Sequence, residues 1–113
     1  MEVKRLAEAK AYEAPNHRNY ASLRLFGLDA GGPKQFVVGL SYFLPGGGAG
    51  PDASPTEKVY VVLAGELTVI VGGRETVLQA NDSCFIGPNE TREIVNRGND
   101  VVTMLTTVSA PPK

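Results

Sequence analysis

Pro45-Gly46-Gly47-Gly48-Ala49-Gly50-Pro51-Asp52-Ala53-Ser54-Pro55-Thr56-Glu57-Lys58-Val59-Tyr60-Val61-Val62-Leu63-Ala64-Gly65-Glu66-Leu67-Thr68-Val69 is the stretch on which the fold turns. A loop rich in Gly and Pro gives way at Lys58 to a β-branched run. That run bends at Ala64-Gly65 and resumes as far as Val71. Gly72-Gly73 between two such runs is a hairpin signal, so Arg74 to Leu78 returns antiparallel.

Working outward, Asn81-Asp82 turns the chain into Ser83-Cys84-Phe85-Ile86. Gly87-Pro88-Asn89 turns it into Thr91 to Val95. Arg97-Gly98-Asn99-Asp100 precedes a last strand, Val101 to Val108. Upstream, Gln35 to Leu44 reads as a strand apolar on both faces, and Ala21 to Leu28 as the first strand of the core. Asp29-Ala30-Gly31-Gly32-Pro33 separates these two. Residues 1–20 read as an arm with a short helix or an edge strand, and 109–113 as a loose tail. Short strands at regular spacing predict one all-β domain over 1–113, a sandwich or a barrel with its body at 21–108.

The two stretches 45–69 and 81–96 resemble the paired signature motifs of the cupin family, G-x5-H-x-H-x3,4-E-x6-G and G-x5-P-x-G-x2-H-x3-N. The resemblance covers the central half of the chain and implies a double-stranded β-helix, a small jelly roll with a mouth at one end. Gly65 and Asn96 match the pattern, and Gly87-Pro88-Asn89 stands where P-x-G is expected. Asn81 replaces a glycine, and Asn tolerates positive φ best after Gly. The four metal-ligand positions do not match. The two first-motif histidines fall on Asp52 and Ser54, the glutamate on Lys58, and the second-motif histidine on Arg92.

Composition narrows the function. The chain has 113 residues, 42% apolar and 20% charged, with a formal charge of −1. No basic run points to nucleic acid, and no apolar stretch approaches the ~18 residues of a membrane span. The first residues, Met1 to Leu6, have no apolar secretory core, so a cytoplasmic location is expected. The single Cys84 makes no internal disulfide and reads as a buried thiol. One histidine, His17, rules out a multi-histidine metal site within one chain. No metal and no cofactor are expected; an oxygen-only site from Asp52, Glu57 or Glu93 would suit magnesium or calcium.

Alternation puts Lys58, Tyr60 and Val62 on one strand face, and Arg92, Ile94 and Asn96 on another. The resemblance implies that Lys58 and Arg92 approach each other at the mouth, beside Asp52 and Ser54. Two desolvated cations persist most easily around an anion; Arg grips a carboxylate bidentately and Lys acts as a point charge. The alternative is a closed network with Lys58 on Asp52 or Glu93 and Arg92 on Glu57 or Glu90. His17 is a candidate to fold over the mouth as an acid or base, the alternative being a surface or packing residue of the arm. Tyr60 and Tyr42 are candidates to orient a ligand, or equally core filler.

Three functions stay open. The first is metal-independent binding of a small anionic, carboxylate-bearing metabolite at Lys58, Arg92, Asp52, Ser54, Tyr60 and Tyr42. The second is a metal-free isomerase, epimerase, cyclase or lyase using Lys58, Arg92 and His17 or Tyr60. The third is a structural or regulatory dimer without ligand. Strands apolar on both faces, as in Val37 to Leu44, call for cover from a second copy, so a homodimer is expected.

Overall fold

Gly72 and Gly73 take φ of 59° and 76°, and the strands on either side pair with Val71 opposite Arg74. Left-handed backbone at both positions of a two-residue turn matches the twist of the strands it joins. The computed structural model describes residues 1–110. It contains nine strands: β1 (Lys10–Tyr12), β2 (His17–Phe26), β3 (Phe36–Asp52), β4 (Lys58–Ala64), β5 (Leu67–Val71), β6 (Arg74–Leu78), β7 (Ser83–Ile86), β8 (Arg92–Val95) and β9 (Val102–Ser109). The arm contributes a 3-10 turn at Leu6–Glu8 and the edge strand β1. Most of the expected loose tail, 111–113, lies outside the described residues.

All pairing is antiparallel, in the order β6-β5-β8-β3-β9-β4-β7, with β2 added to β3 and β1 to β2. The sheet curls into a nearly closed barrel, the jelly roll expected from the motifs. Its two path ends, β6 and β7, have no pairing between them, so the wall has one open seam. The inner face carries the core: Phe43, Val62, Leu67, Ile94, Val102 and Met104 are buried almost completely.

Two expectations change. The first core strand begins at His17 rather than Ala21, which brings the only histidine into the sheet. The segment 45–55, expected as a loop, is strand as far as Asp52. Two of its glycines, Gly48 and Gly50, are needed for close approach to β8. A methyl group at Gly48 would collide with the Ile94 carbonyl, and one at Gly50 with the Arg92 carbonyl. Side chains there would push β3 off β8. The turn chemistry at the two substituted positions survives: Asn81 and Asn89 adopt φ of 73° and 61°.

Candidate functional site

Lys58, Tyr60, Arg92 and His17 line one cavity of about 120 Å³ inside the barrel, together with Ser41 and Thr106. Strand alternation explains most of this set. On β4, Lys58 and Tyr60 share the inner face with buried Val62; on β8, Arg92 shares it with Ile94. His17 arrives from β2, whose start pairs with Ala49 of β3. It serves the barrel of its own chain.

Arg92 is the centre of the site. Its side chain is 7% exposed and its Nη1 donates to Asp52 Oδ1 at 2.6 Å. Its Nε donates to the Tyr60 hydroxyl at 2.8 Å. Lys58 has no such partner. Among the described residues no carboxylate lies within ion-pair distance of its ammonium, which donates instead to Ser54 Oγ at 2.6 Å. Ser54 in turn shares a hydrogen bond with Thr56 at 2.7 Å. The anticipated closed network is therefore only half formed, and its pairs are different. Asp52 serves Arg92, Glu93 pairs with Arg18, and Glu90 accepts from the Gly87 amide.

The charges act on their neighbours. Burial, then the nearby Arg92 cation, lowers the Lys58 pKa, and Asp52 opposes them only partly. Burial also lowers the His17 pKa, aided by repulsion from Arg92 and Arg18. The Pro15 carbonyl accepts from His17 Nδ1 at 2.7 Å, and this bond works in the opposite direction. A carbonyl only accepts, so the proton of the neutral ring sits on Nδ1 and Nε2 keeps its lone pair. Phe43 stacks on the ring at 6.2 Å between centroids, and Tyr20 lies at 5.0 Å. Burial raises the Tyr60 pKa against the pull of Arg92, so its hydroxyl stays protonated near neutrality.

Tyr42 does not join the site. It alternates with Ser41 and Phe43, both buried inward, and so faces the outside of the barrel. Ser41 and Thr106, with Tyr12 and Ala14 from the arm, are among the cavity residues that sequence reasoning passed over. The alternation that placed Tyr60 would have found Ser41 two positions before Phe43. Cys84 is inward-facing but lies away from this cavity, and burial raises its pKa.

The four positions that hold a metal in the wider family carry Asp52, Ser54, Lys58 and Arg92. An ammonium and a guanidinium donate hydrogen bonds and repel a divalent cation. The described residues contain no cluster of three His, Cys, Asp or Glu suited to a metal. These side chains do not fit the metal.

The family model for the cupin domain matches residues 39–108. The chain belongs to the cupin family. This cupin is 44% identical over 111 residues to a beta-D-galactosidase of Mycobacterium tuberculosis (strain ATCC 25618 / H37Rv), covering 98% of this chain and 96% of that one. Among solved structures it is similar to the polyketide cyclase RemF from Streptomyces resistomycificus, with a TM-score of 0.85, 20% identity, and coverage of 99% and 82%. It is also similar to a predicted oxalate decarboxylase from Thermotoga maritima, with a TM-score of 0.81, 23% identity, and coverage of 96% and 99%. Those two likenesses carry the fold alone. Among the described residues, no helix is long and apolar enough to cross a membrane.

Proposed function

We propose that this cupin hydrolyses a β-galactoside, or a glycoside close to it, with acid and base groups of its own and no resident metal. The observation that carries the reading is the end-to-end likeness to a beta-D-galactosidase, and the chemistry of the cavity is compatible with it. Most glycosidases divide the work between two carboxylic acids. This cavity has one carboxylate beside it, Asp52, already bound to Arg92. The proton transfers then fall to His17 and Lys58. His17, neutral with Nε2 free, takes a proton from the attacking water. Lys58, made more acidic by burial and by Arg92, gives a proton to the departing glycosidic oxygen. Water's oxygen forms the new bond to the anomeric carbon as the old C–O bond breaks, and the protons balance. Asp52 supports positive charge developing on the sugar ring. Ser41, Thr106 and Tyr60 supply hydroxyls for the sugar, and the cavity has room for no more than one ring.

A second reading rests on Lys58, which has no carboxylate partner among the described residues: a small carboxylate-bearing molecule bound there without turnover. Isomerase, epimerase, cyclase or lyase chemistry would draw on the same groups and release no free sugar.

A chromogenic aryl β-D-galactoside separates these readings. The purified cupin, treated with a chelator, is expected to release both the aryl alcohol and galactose, and Lys58→Met and His17→Asn to reduce the rate at least ~100-fold. Folded protein that releases nothing, yet carries a small acid in its native mass spectrum, would replace hydrolysis with the second reading.

A further inference from the structure

Tyr12 comes from the N-terminal arm, yet it lines the same cavity as His17, Lys58, Tyr60 and Arg92. Strand pairing explains how it gets there. Tyr12 stands opposite Ser22 on β2, and Ser22 opposite Ser41 on β3. Residues directly opposite in a sheet share a face, and Ser41 faces the cavity. Two residues before Ser41, β3 carries Gly39, which pairs with Thr106 of β9. Gly39 is buried and shares the inner face with Ser41 and Phe43, but it has no side chain to place there. The Tyr12 hydroxyl uses that space. A methyl group at Gly39 would lie 3.3 Å from it and 3.0 Å from Thr106 Oγ1.

The phenol is held from behind. Arg24 of β2 stacks its guanidinium on the ring at 4.3 Å from the centroid and pairs with Asp29 at 3.2 Å. The buried Arg24 Nε has no hydrogen-bond partner among the described residues. Contact with the electron-rich face of the ring offsets part of that loss. Two residues after Tyr12, the Ala14 amide donates to the Tyr20 hydroxyl at 2.9 Å and ties the arm to β2. Within the described residues the hydrogen-bonded tyrosine hydroxyls are those of Tyr20 and Tyr60, and the hydrogen-bonded threonine hydroxyl is that of Thr56. The hydroxyls of Tyr12 and Thr106 are fixed in place and free. Each can donate and accept, so the pair suits an alcohol group, which does both.

We propose that Tyr12 is a specificity-determining residue of the cavity, its hydroxyl joining that of Thr106 in binding a hydroxyl group of the glycoside. The N-terminal arm is then a working part of the site. The proposal rests on the hydrolase reading for its ligand and on the Gly39 gap for the position of the residue.

Two measurements separate the proposal from that reading. Methyl 1-thio-β-D-galactoside, which resists hydrolysis, is titrated into wild-type protein with 13C-labelled tyrosine rings. The signal of Tyr12, identified by its loss in Tyr12→Phe, is expected to shift with that of Tyr60, while Tyr42 on the outer face stays in place. Tyr12→Phe keeps the ring and its stacking on Arg24, and should bind the thiogalactoside about 3- to 10-fold more weakly. With the chromogenic aryl β-D-galactoside, KM should rise by the same factor and kcat change by less than about twofold. The unfolding midpoint should stay at the wild-type value, because the lost hydroxyl has no partner in the protein. A shift at Tyr12 without turnover of the aryl galactoside would count against hydrolysis and uphold Tyr12 as a ligand contact. A ligand that moves Tyr60 and not Tyr12, or a Tyr12→Phe protein that binds as tightly as wild type, would overturn the proposal and leave the hydrolase reading standing. No shift at either tyrosine and no turnover would remove both.

Discussion

Arg92 on β8 and Tyr60 on β4 meet across the interior of the barrel, guanidinium Nε to phenolic oxygen, at 2.8 Å. Tyr60 is 3% exposed and Arg92 6%, so each group depends on the other for satisfaction. The same guanidinium reaches out to Asp52 at the mouth. One side chain therefore fixes the position of a hydroxyl inside and a carboxylate at the rim.

Removing the hydroxyl tests that dependence. Tyr60→Phe preserves the ring and its packing but leaves Arg92 Nε buried without an acceptor. The expected cost is about 1–3 kcal/mol, the usual penalty for an orphaned buried donor. Urea unfolding at neutral pH, with an unchanged m-value, measures it; a change within experimental scatter would mean that water reaches the guanidinium freely.

His17 should give the protein a pH-dependent stability. The folded state lowers its pKa below 6.5, so the unfolded chain binds the proton more readily. Stability from this group rises with pH between the folded pKa and about 6.5, and is constant above that. The unfolding midpoint of wild type should fall between about pH 7.5 and about pH 5, and His17→Asn should flatten that part of the slope. An identical slope in both proteins would show that the ring is hydrated in the folded state.

Metal affinity should not return with two changes. In Lys58→Glu combined with Arg92→His, positions 52 and 54 still carry Asp and Ser, and only one imidazole is added. Elemental analysis of that variant, purified from iron- and zinc-supplemented cells, is expected to find substoichiometric metal. Full occupancy would show that the four positions are not where a metal site in this barrel is built.

We propose that the outer sheet face is covered by a second copy of the chain. Val59 stands opposite Phe85 on β7 and Thr107 on β9, and Phe36 opposite Ser109 on the same side. Phe36, Val59 and Phe85 are 43%, 40% and 58% exposed. Sedimentation at micromolar concentration should give twice the chain mass for wild type and the chain mass for Phe36→Lys. A wild-type monomer would end the idea.

Much of the fold was legible along the chain, because turns and alternation are local. Gly72-Gly73 has to turn left-handed, and an antiparallel strand has to follow. Asn81 and Asn89 replace the glycines of the family pattern without losing its turns, because Asn bears positive φ at small cost. The period of two put Lys58 and Tyr60 on one strand face and Arg92 and Ile94 on another, and the motif resemblance implied that both faces point inward. The glycines at 46–50 misled, since a run read as loop proved to be a strand pressed against β8 at Gly48 and Gly50; only the neighbour's position reveals that squeeze.

The sequence by itself determined that four metal-ligand positions carry no imidazole and that two of them carry cations. That is a matter of side-chain chemistry and needs no coordinates. Only the tertiary structure decided how those cations are shared out. Charge counting offered Asp52 or Glu93 to Lys58 and Glu57 or Glu90 to Arg92; distance in space gave Asp52 to Arg92 instead and none of the four to Lys58. The hydrogen bond from Arg92 on β8 to Tyr60 on β4 belongs to the same class of fact. Its two residues stand 32 positions apart in the chain, and their meeting follows from how the sheet closes, which no local pattern encodes.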